Sequence, residues 1–262
     1  MTASPTNPAI EIDEVWKTYS PDGGFVLCGV SLAVEARSFV ALTGTSGSGK
    51  TTLLKLINRL IEPSRGTVRV EGADIAATNA VLLRRRIGYV FQGVGLFPHL
   101  TVAENISITP TLLKWDRSAI ARRVDELLDL VQLPRALNTR LPPTLSGGQA
   151  QRVGLARALA AKPGIVLMDE PFGAVDPITR DALGRDYRAL HDALGLTTIM
   201  ISHDMMEAVL LADRIAVMDS GEVVEYGETA DLLSRPRHNS VRRLMRMPLE
   251  QAERVGRLAG LS

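Results

Sequence analysis

The sequence is short of the residues on which several functions depend. Of its 262 residues only Cys28 is a cysteine. One thiol cannot form an intrachain disulfide, and the composition suits a reducing compartment. There Cys28 reads as a small core residue rather than a redox centre. Aromatic residues make up 4% of the chain, with two tryptophans and four tyrosines. That is too few rings for a base-stacking platform or for an aromatic cage around a quaternary amine. Thirty basic residues against 29 acidic ones leave a net charge of +1, so no strong field draws the chain to nucleic acid. No run of about 18 apolar residues is present to span a membrane. Residues 1–10 are polar and proline-containing, without the apolar segment of a secretory signal. No internal repeat or low-complexity tract stands out.

What is present is an ample interior. Hydrophobic residues form 45% of the chain, enough for one large α/β domain with room for a subdomain. Short strands come first, over 10–19, 25–34 and 39–42. Leu53, Leu54, Leu56, Ile57, Leu60 and Ile61 fall at helical spacing and predict a helix over 50–61. A turn at 63–66 precedes a strand at 67–70, and another strand covers 87–91. Residues 96–160 read as mostly helical, with amphipathic spacing over 115–133. The apolar runs 165–168, 197–201 and 215–218 read as buried strands. Helical patterns lie between them, which predicts a largely parallel sheet. From about residue 228 the chain reads as a charged helical tail.

The chemistry is concentrated in a few places. Gly44-Thr45-Ser46-Gly47-Ser48-Gly49-Lys50-Thr51 fits G-x-x-x-x-G-K-[ST] between an apolar strand and a helix. Glycines let the backbone wrap so that its N–H groups face phosphate oxygens. Lys50 then reaches the β- and γ-phosphates and Thr51 ligates Mg²⁺. The motif alone leaves ATP and GTP open. Leu145-Ser146-Gly147-Gly148-Gln149 precedes an apolar, arginine-punctuated run and offers a second anion site at a helix start. Asp169 ends the buried run 165–168, where an acid can hold Mg²⁺. Glu170 follows and can orient or deprotonate a water. Taken in isolation, the two acids also fit a pair of helix-capping residues before Pro171. His203 after its strand fits either a γ-phosphate partner or an ordinary surface histidine. Gln92 ends a strand with an uncharged amide suited to Mg²⁺ or water. Tyr19 fits either a base-stacking ring or an ordinary sheet tyrosine.

Tyr19, the loop 44–51, Gln92, the segment 145–149, Asp169-Glu170, Asp176 and His203 come in a familiar order. Over about residues 10–235 the chain resembles the ATP-binding subunit of an ATP-binding cassette (ABC) transporter. The resemblance implies an α/β P-loop NTPase cassette with a RecA-like mixed or parallel sheet core. It also implies an N-terminal antiparallel β subdomain and a helical subdomain, at about 96–160, that carries the signature. The remaining 236–262 would form a short helical tail, with no CBS domains. The resemblance selects ATP and assigns roles. Tyr19 stacks on adenine, and Gly44 through Thr51, with Thr52, bind ATP. Lys50 is catalytic, and Thr51, Gln92 and Asp169 hold Mg²⁺. Gln92 senses the metal and couples to the membrane subunit. Ser146, Gly147, Gly148 and Gln149 bind the γ-phosphate of the ATP held by a second subunit. Glu170 is the catalytic base, Asp176 lies at the dimer interface and His203 is the switch histidine. Two departures from the family pattern, Val175 for leucine and Ala150 after the signature, touch no chemistry.

The segments 58–63, 95–99 and 169–180 look like the osmoprotectant branch of importers, which take up glycine betaine, choline, carnitine and related quaternary amines. Many ATPases of that branch carry a pair of regulatory CBS domains. The resemblance implies a homodimer, integral-membrane permeases, an extracytoplasmic substrate-binding protein and no nucleic acid partner. The permease would place the chain at the cytoplasmic face of the inner or plasma membrane, with its coupling groove near Gln92 and 95–105. An exporter, or an importer of another solute, shares the same residues. A non-transport ABC ATPase fits less well, because about fifty residues separate Gln92 from Ser146 without sustained heptads. The tail arginines Arg237, Arg242, Arg243, Arg246, Arg254 and Arg257 read as a solvated helix face rather than a membrane or partner contact.

Overall fold

The computed structural model describes residues 8–20, 23–173 and 175–260. Sequence readings that fall on 1–7, Ala174 and 261–262 lie outside the described residues. In chain order the elements are β1 (Ile10–Lys17), β2 (Leu27–Val34), β3 (Phe39–Gly44), α1 (Lys50–Ile57), β4 (Arg65–Val70), β5 (Ala73–Asp74), α2 (Ala80–Arg86) and β6 (Ile87–Val90). They continue with α3 (Val102–Leu112), α4 (Arg117–Leu130), α5 (Gly147–Leu159), β7 (Ile165–Asp169), α6 (Pro177–Leu194) and β8 (Thr197–Ile201). The last are α7 (Met205–Leu211), β9 (Arg214–Asp219), β10 (Glu222–Glu228), α8 (Thr229–Ser234) and α9 (Asn239–Leu258). The chain divides into two compact units: the part up to Ala76 together with Ile201 onward, and Ala77–Met200.

In the first unit β1 lies between β2 and β4, antiparallel to both, and β5 borders β4. Alternation sets the buried face. Ile10 and Ile12 pair with Val34 and Leu32 on one side and with Val70 and Val68 on the other, and all six are buried. Separately, β3 pairs in parallel with β9, and β10 returns antiparallel along β9. The sequence had not shown β10, whose side chains are half-buried on both faces and give no alternation. Burial of Phe39 through Thr43 makes β3 a core strand, and α1 turns Leu53, Leu54, Leu56 and Ile57 inward. That helix is shorter than its spacing predicted. Asn58 caps it and Arg59 takes φ 47°, so Leu60 and Ile61 lie beyond the last turn. β1 also stops at Lys17, which leaves Tyr19 in the following turn. Cys28 is only partly buried in β2, so it is not the enclosed core residue expected.

In the second unit β6 and β7 pair in parallel, and β8 flanks β7. β7 is buried over its whole length, as its unbroken apolar run requires. The expected helical region starts at Val102 rather than 96, and two short 3₁₀ turns interrupt it at 135–137 and 142–144. Arg123 of α4 donates to the carbonyls of Leu159 and Ala160 at 2.8 and 3.3 Å, capping the end of α5. Arg152 of α5 pairs with Asp186 of α6 at 2.9 Å. These ties hold α4, α5 and α6 as one body around Val153, Leu155 and Ala156. Behind β8, the Tyr187 hydroxyl and His191 Nδ1 both meet Thr198 Oγ1, at 2.7 and 3.0 Å, so three buried polar groups satisfy one another. Among the described residues no helix is long and apolar enough to cross a membrane.

Candidate functional site

The glycine loop leaves β3 at Gly44, which pairs with Met218 of β9. A Cβ on Gly44 would stand 1.9 Å from the Met218 carbonyl oxygen, and its φ is +137°, so only glycine fits. The loop then rises through exposed Thr45, Ser46 and Gly47 and returns through buried Ser48 and Gly49. Gly49, at φ 98°, starts α1 with no side-chain cap and no acid in the first turn. A helix start left in that state favours an anion. Lys50 is only 5% exposed. Its Nζ donates to the carbonyls of Gly44 and Thr45 at 3.0 and 2.8 Å and to Ser48 Oγ at 3.3 Å. The ammonium is thereby held across the loop it serves. Gly47, at φ +79°, has no heavy atom within 4 Å of the place a Cβ would take, so the cradle is open there.

Two more predicted residues join this loop in the first unit. Tyr19 is 61% exposed, and its hydroxyl lies 3.3 Å from Thr52 Oγ1 in α1. Its ring therefore stands exposed beside the loop, with Lys17 Nζ 5.3 Å from the ring centroid. Ser202 donates its N–H to Leu42 O at 3.3 Å, which sets that residue beside β3. His203 is the next residue, exposed, at the height where β3 gives way to the loop.

The second unit gathers the others in two groups. Val90 of β6 pairs with Met168 of β7, so Gln92 and Asp169 leave the same edge of two neighbouring strands. Asp169 is 4% exposed. Tyr89 lies close enough that Asp169's negative charge, after burial, raises the tyrosine pKa. Glu170 adopts φ 48°, a left-handed conformation unusual for glutamate, and strain of this kind clusters at functional sites. Within this unit Asp169 and Gln92 offer a carboxylate and an amide oxygen, hard donors of the kind Mg²⁺ prefers.

The second group is the signature. Ser146 caps α5: its Oγ accepts from Gln149 N at 3.3 Å, and Gln149 Oε1 accepts from Ser146 N at 3.0 Å. The Gln149 side chain is thus spent on the cap, while Gly147 and Gly148 put bare backbone at the helix start. A Cβ on Gly148 would come within 2.8 Å of the Thr179 methyl, so the signature abuts the first turn of α6. Asp176 caps that helix, accepting from Thr179 N at 3.0 Å. The Thr179 hydroxyl and N–H hold the Asp176 carboxyl below its usual range.

Two residues that sequence reasoning did not single out shape the segment after Gln92. Fully buried Asn105 accepts from Phe97 N at 2.9 Å and donates to the carbonyls of Phe97, Leu100 and Thr101. Arg157 of α5 donates to Gly95 O at 2.7 Å. The Thr101-x-x-Glu104 capping box of α3 was a readable sign of order here. The arginine carried no such signal.

Comparison with known proteins names this arrangement. The ABC transporter family pattern matches residues 27–173. The chain belongs to the ABC transporter family. It is 50% identical to the glycine betaine uptake system ATP-binding protein YehX of Escherichia coli (strain K12), over 81% of this chain and 69% of that protein. It is 47% identical to the choline transport ATP-binding protein OpuBA of Bacillus subtilis (strain 168), over 87% of this chain. The chain spans 59% of the length of OpuBA. A sulfate/thiosulfate import ATP-binding protein, CysA of Synechococcus elongatus (strain ATCC 33912 / PCC 7942 / FACHB-805), is 46% identical over 87% of this chain and 64% of its own length. Among solved structures, the dimeric post-hydrolysis state of the ATP-binding cassette MJ0796 with ADP and Pi matches at TM-score 0.76 and 33% identity. That match covers 84% of this chain and 98% of the cassette. The fold is the ATP-binding cassette fold that the motifs implied.

Proposed function

We propose that this chain is the ATP-hydrolysing subunit of an importer for an osmoprotectant quaternary amine. The observation that carries the ATPase reading is Lys50 drawn across a glycine loop whose helix start has no side-chain cap. Lys50 neutralises the β- and γ-phosphates, the loop N–H groups orient them, and Tyr19 takes the adenine face. Mg²⁺, when bound, neutralises phosphate charge and fixes the orientation of the oxygens. On the family resemblance, Thr51, Asp169 and Gln92 would hold it. Glu170 orients and deprotonates the attacking water, and His203 hydrogen-bonds the γ-phosphate.

The second subunit is a copy of this chain, whose Ser146, Gly147 and Gly148 face the γ-phosphate from outside. Two features support that reading: the bare helix start at Gly147-Gly148, and Ile178, 85% exposed beside Asp176. Permeases receive the stroke at the membrane's cytoplasmic face, and an extracytoplasmic binding protein selects the solute. The quaternary-amine assignment rests on resemblance to choline and glycine betaine proteins.

Steady-state ATP hydrolysis tests the chemistry. Lys50→Ala is expected to abolish turnover, and Glu170→Gln to bind ATP, stay dimeric and fail to turn over. Full turnover by the Glu170 variant would remove the base assignment. Uptake of radiolabelled glycine betaine and choline, with sulfate as competitor, tests the solute. Sulfate transport would place the chain with CysA instead.

A further inference from the structure

The segment after Gln92 is fastened to the signature helix by one side chain. Arg157 lies in the last turn of α5, eleven residues beyond the Ser146 cap. Its Nη1 donates to Gly95 O at 2.7 Å, and its Nη2 to Val94 O at 3.4 Å. The guanidinium also stands 5.8 Å from the Phe91 ring centroid, within cation–π range. Among the described residues it forms no ion pair. A half-buried guanidinium without a carboxylate is costly unless its donors are used, and here they are used on backbone carbonyls. Burial holds its pKa below the usual arginine value. Gly154, one turn earlier, brings α5 against the same strip: a Cβ there would lie 3.6 Å from Val94 O. Asn105 fixes the segment from Phe97 onward. Gly93, at φ +65° with nothing within 4 Å of a Cβ position, is the single residue between Gln92 and the clamped stretch.

We propose that Arg157 is a positioning residue that ties the Gln92 segment to the signature helix α5. A displacement of Ser146–Gly148 then moves Gln92, and the reverse. This rests on the roles proposed above for Gln92 and the signature. The clamp suits arginine because a planar fork spans two adjacent carbonyls while presenting a face to an aromatic ring, which an ammonium cannot do.

The test uses the 262-residue chain and five variants. Arg157→Ala is expected to lower kcat about tenfold while KM for ATP stays within about twofold, because bound ATP is intact and positioning is lost. Arg157→Lys recovers part of the loss. Phe91→Leu, at a half-exposed ring, lowers kcat about threefold and keeps the fold readable if the arginine variant unfolds. Gln92→Ala combined with Arg157→Ala turns over no more slowly than Gln92→Ala alone, because both changes act through one segment. Losses that multiply overturn the proposal, as does an unchanged kcat with a lowered unfolding midpoint. Hydrogen exchange of the amides at 93–97 reports the clamp without any turnover. Faster exchange in Arg157→Ala is expected, and unchanged exchange overturns the clamp. A wild-type chain that hydrolyses no ATP overturns the proposed function, whereas the exchange result stands apart from it.

Discussion

Gly44 and Gly47 are glycine for different reasons. At 44 the backbone passes so near Met218 that a Cβ would overlap its carbonyl, at 1.9 Å. Gly44→Ala is therefore a folding variant, expected to cost about 3 kcal/mol, because overlap and left-handed strain act together. At 47 the space is open, and only the φ of +79° resists a side chain. Gly47→Ala is expected to cost about 1 kcal/mol and to leave the fold intact, yet to weaken ATP binding by filling the cradle. Urea denaturation and titration with a fluorescent ATP analogue separate the two. An alanine at 44 as stable as wild type, or one at 47 that binds ATP as wild type does, contradicts this division. The loop was legible because an apolar strand gives way abruptly to glycines and a lysine. Asp169 was legible for a like reason, as an acid that ends an apolar run and is followed at once by a second acid. Arg157 was not, because its carbonyl partners lie 62 and 63 residues away in sequence. Nothing local separates it from an arginine that snorkels to water.

Helix starts carry much of the chemistry at the scale of elements, and their caps differ in kind. α1 starts without a side-chain cap, whereas α3, α5 and α6 are closed by Thr101, Ser146 and Asp176. Ser146→Ala removes half a capping box and is expected to cost about 1 kcal/mol. On the proposed reading it also slows hydrolysis while the chain's own ATP affinity stays near wild type. Equal losses in binding and turnover would contradict a role toward a second copy's nucleotide. The acidic caps make stability depend on pH. Asp176 is held below its usual range by the Thr179 hydroxyl and N–H, and Glu104 by the Thr101 N–H and hydroxyl. A carboxyl that ionises more readily when folded stabilises the fold above the unfolded carboxylate pKa, about 4. That contribution is lost as pH falls through the lower folded value. Asp176→Asn with Glu104→Gln keeps hydrogen-bonding caps that do not titrate in this range. Denaturation at about pH 6 and pH 3 should show a smaller acid loss than wild type; an equal loss would mean the caps do not titrate with the fold. Such starts are written locally, so Asp176-Pro177 and Ser146-x-x-Gln149 could be read from sequence. α2 was passed over because its seven residues end in three arginines and bury only Leu83.

At the scale of the molecule, one chain carries a phosphate cradle in its first unit and a signature helix in its second. If the signature serves the chain's own nucleotide, defects at Lys50 and at Ser146 strike the same site whether copies are mixed or not. If it serves the nucleotide of a second copy, the two defects separate. In a head-to-tail pair of Lys50→Ala with Ser146→Ala, one site joins the altered loop to the altered signature and is dead. The other joins an intact loop to an intact signature and is whole. A two-fold pairing sets each copy's loop against the other's signature, so two sites follow from one interface. Mixing the two variants is therefore expected to give ATP hydrolysis well above the sum of their separate rates. The gain should rise with total protein concentration, since the pair must form first. Activity no greater than the sum, at concentrations where the wild type is saturated, would mean that each chain completes its own site.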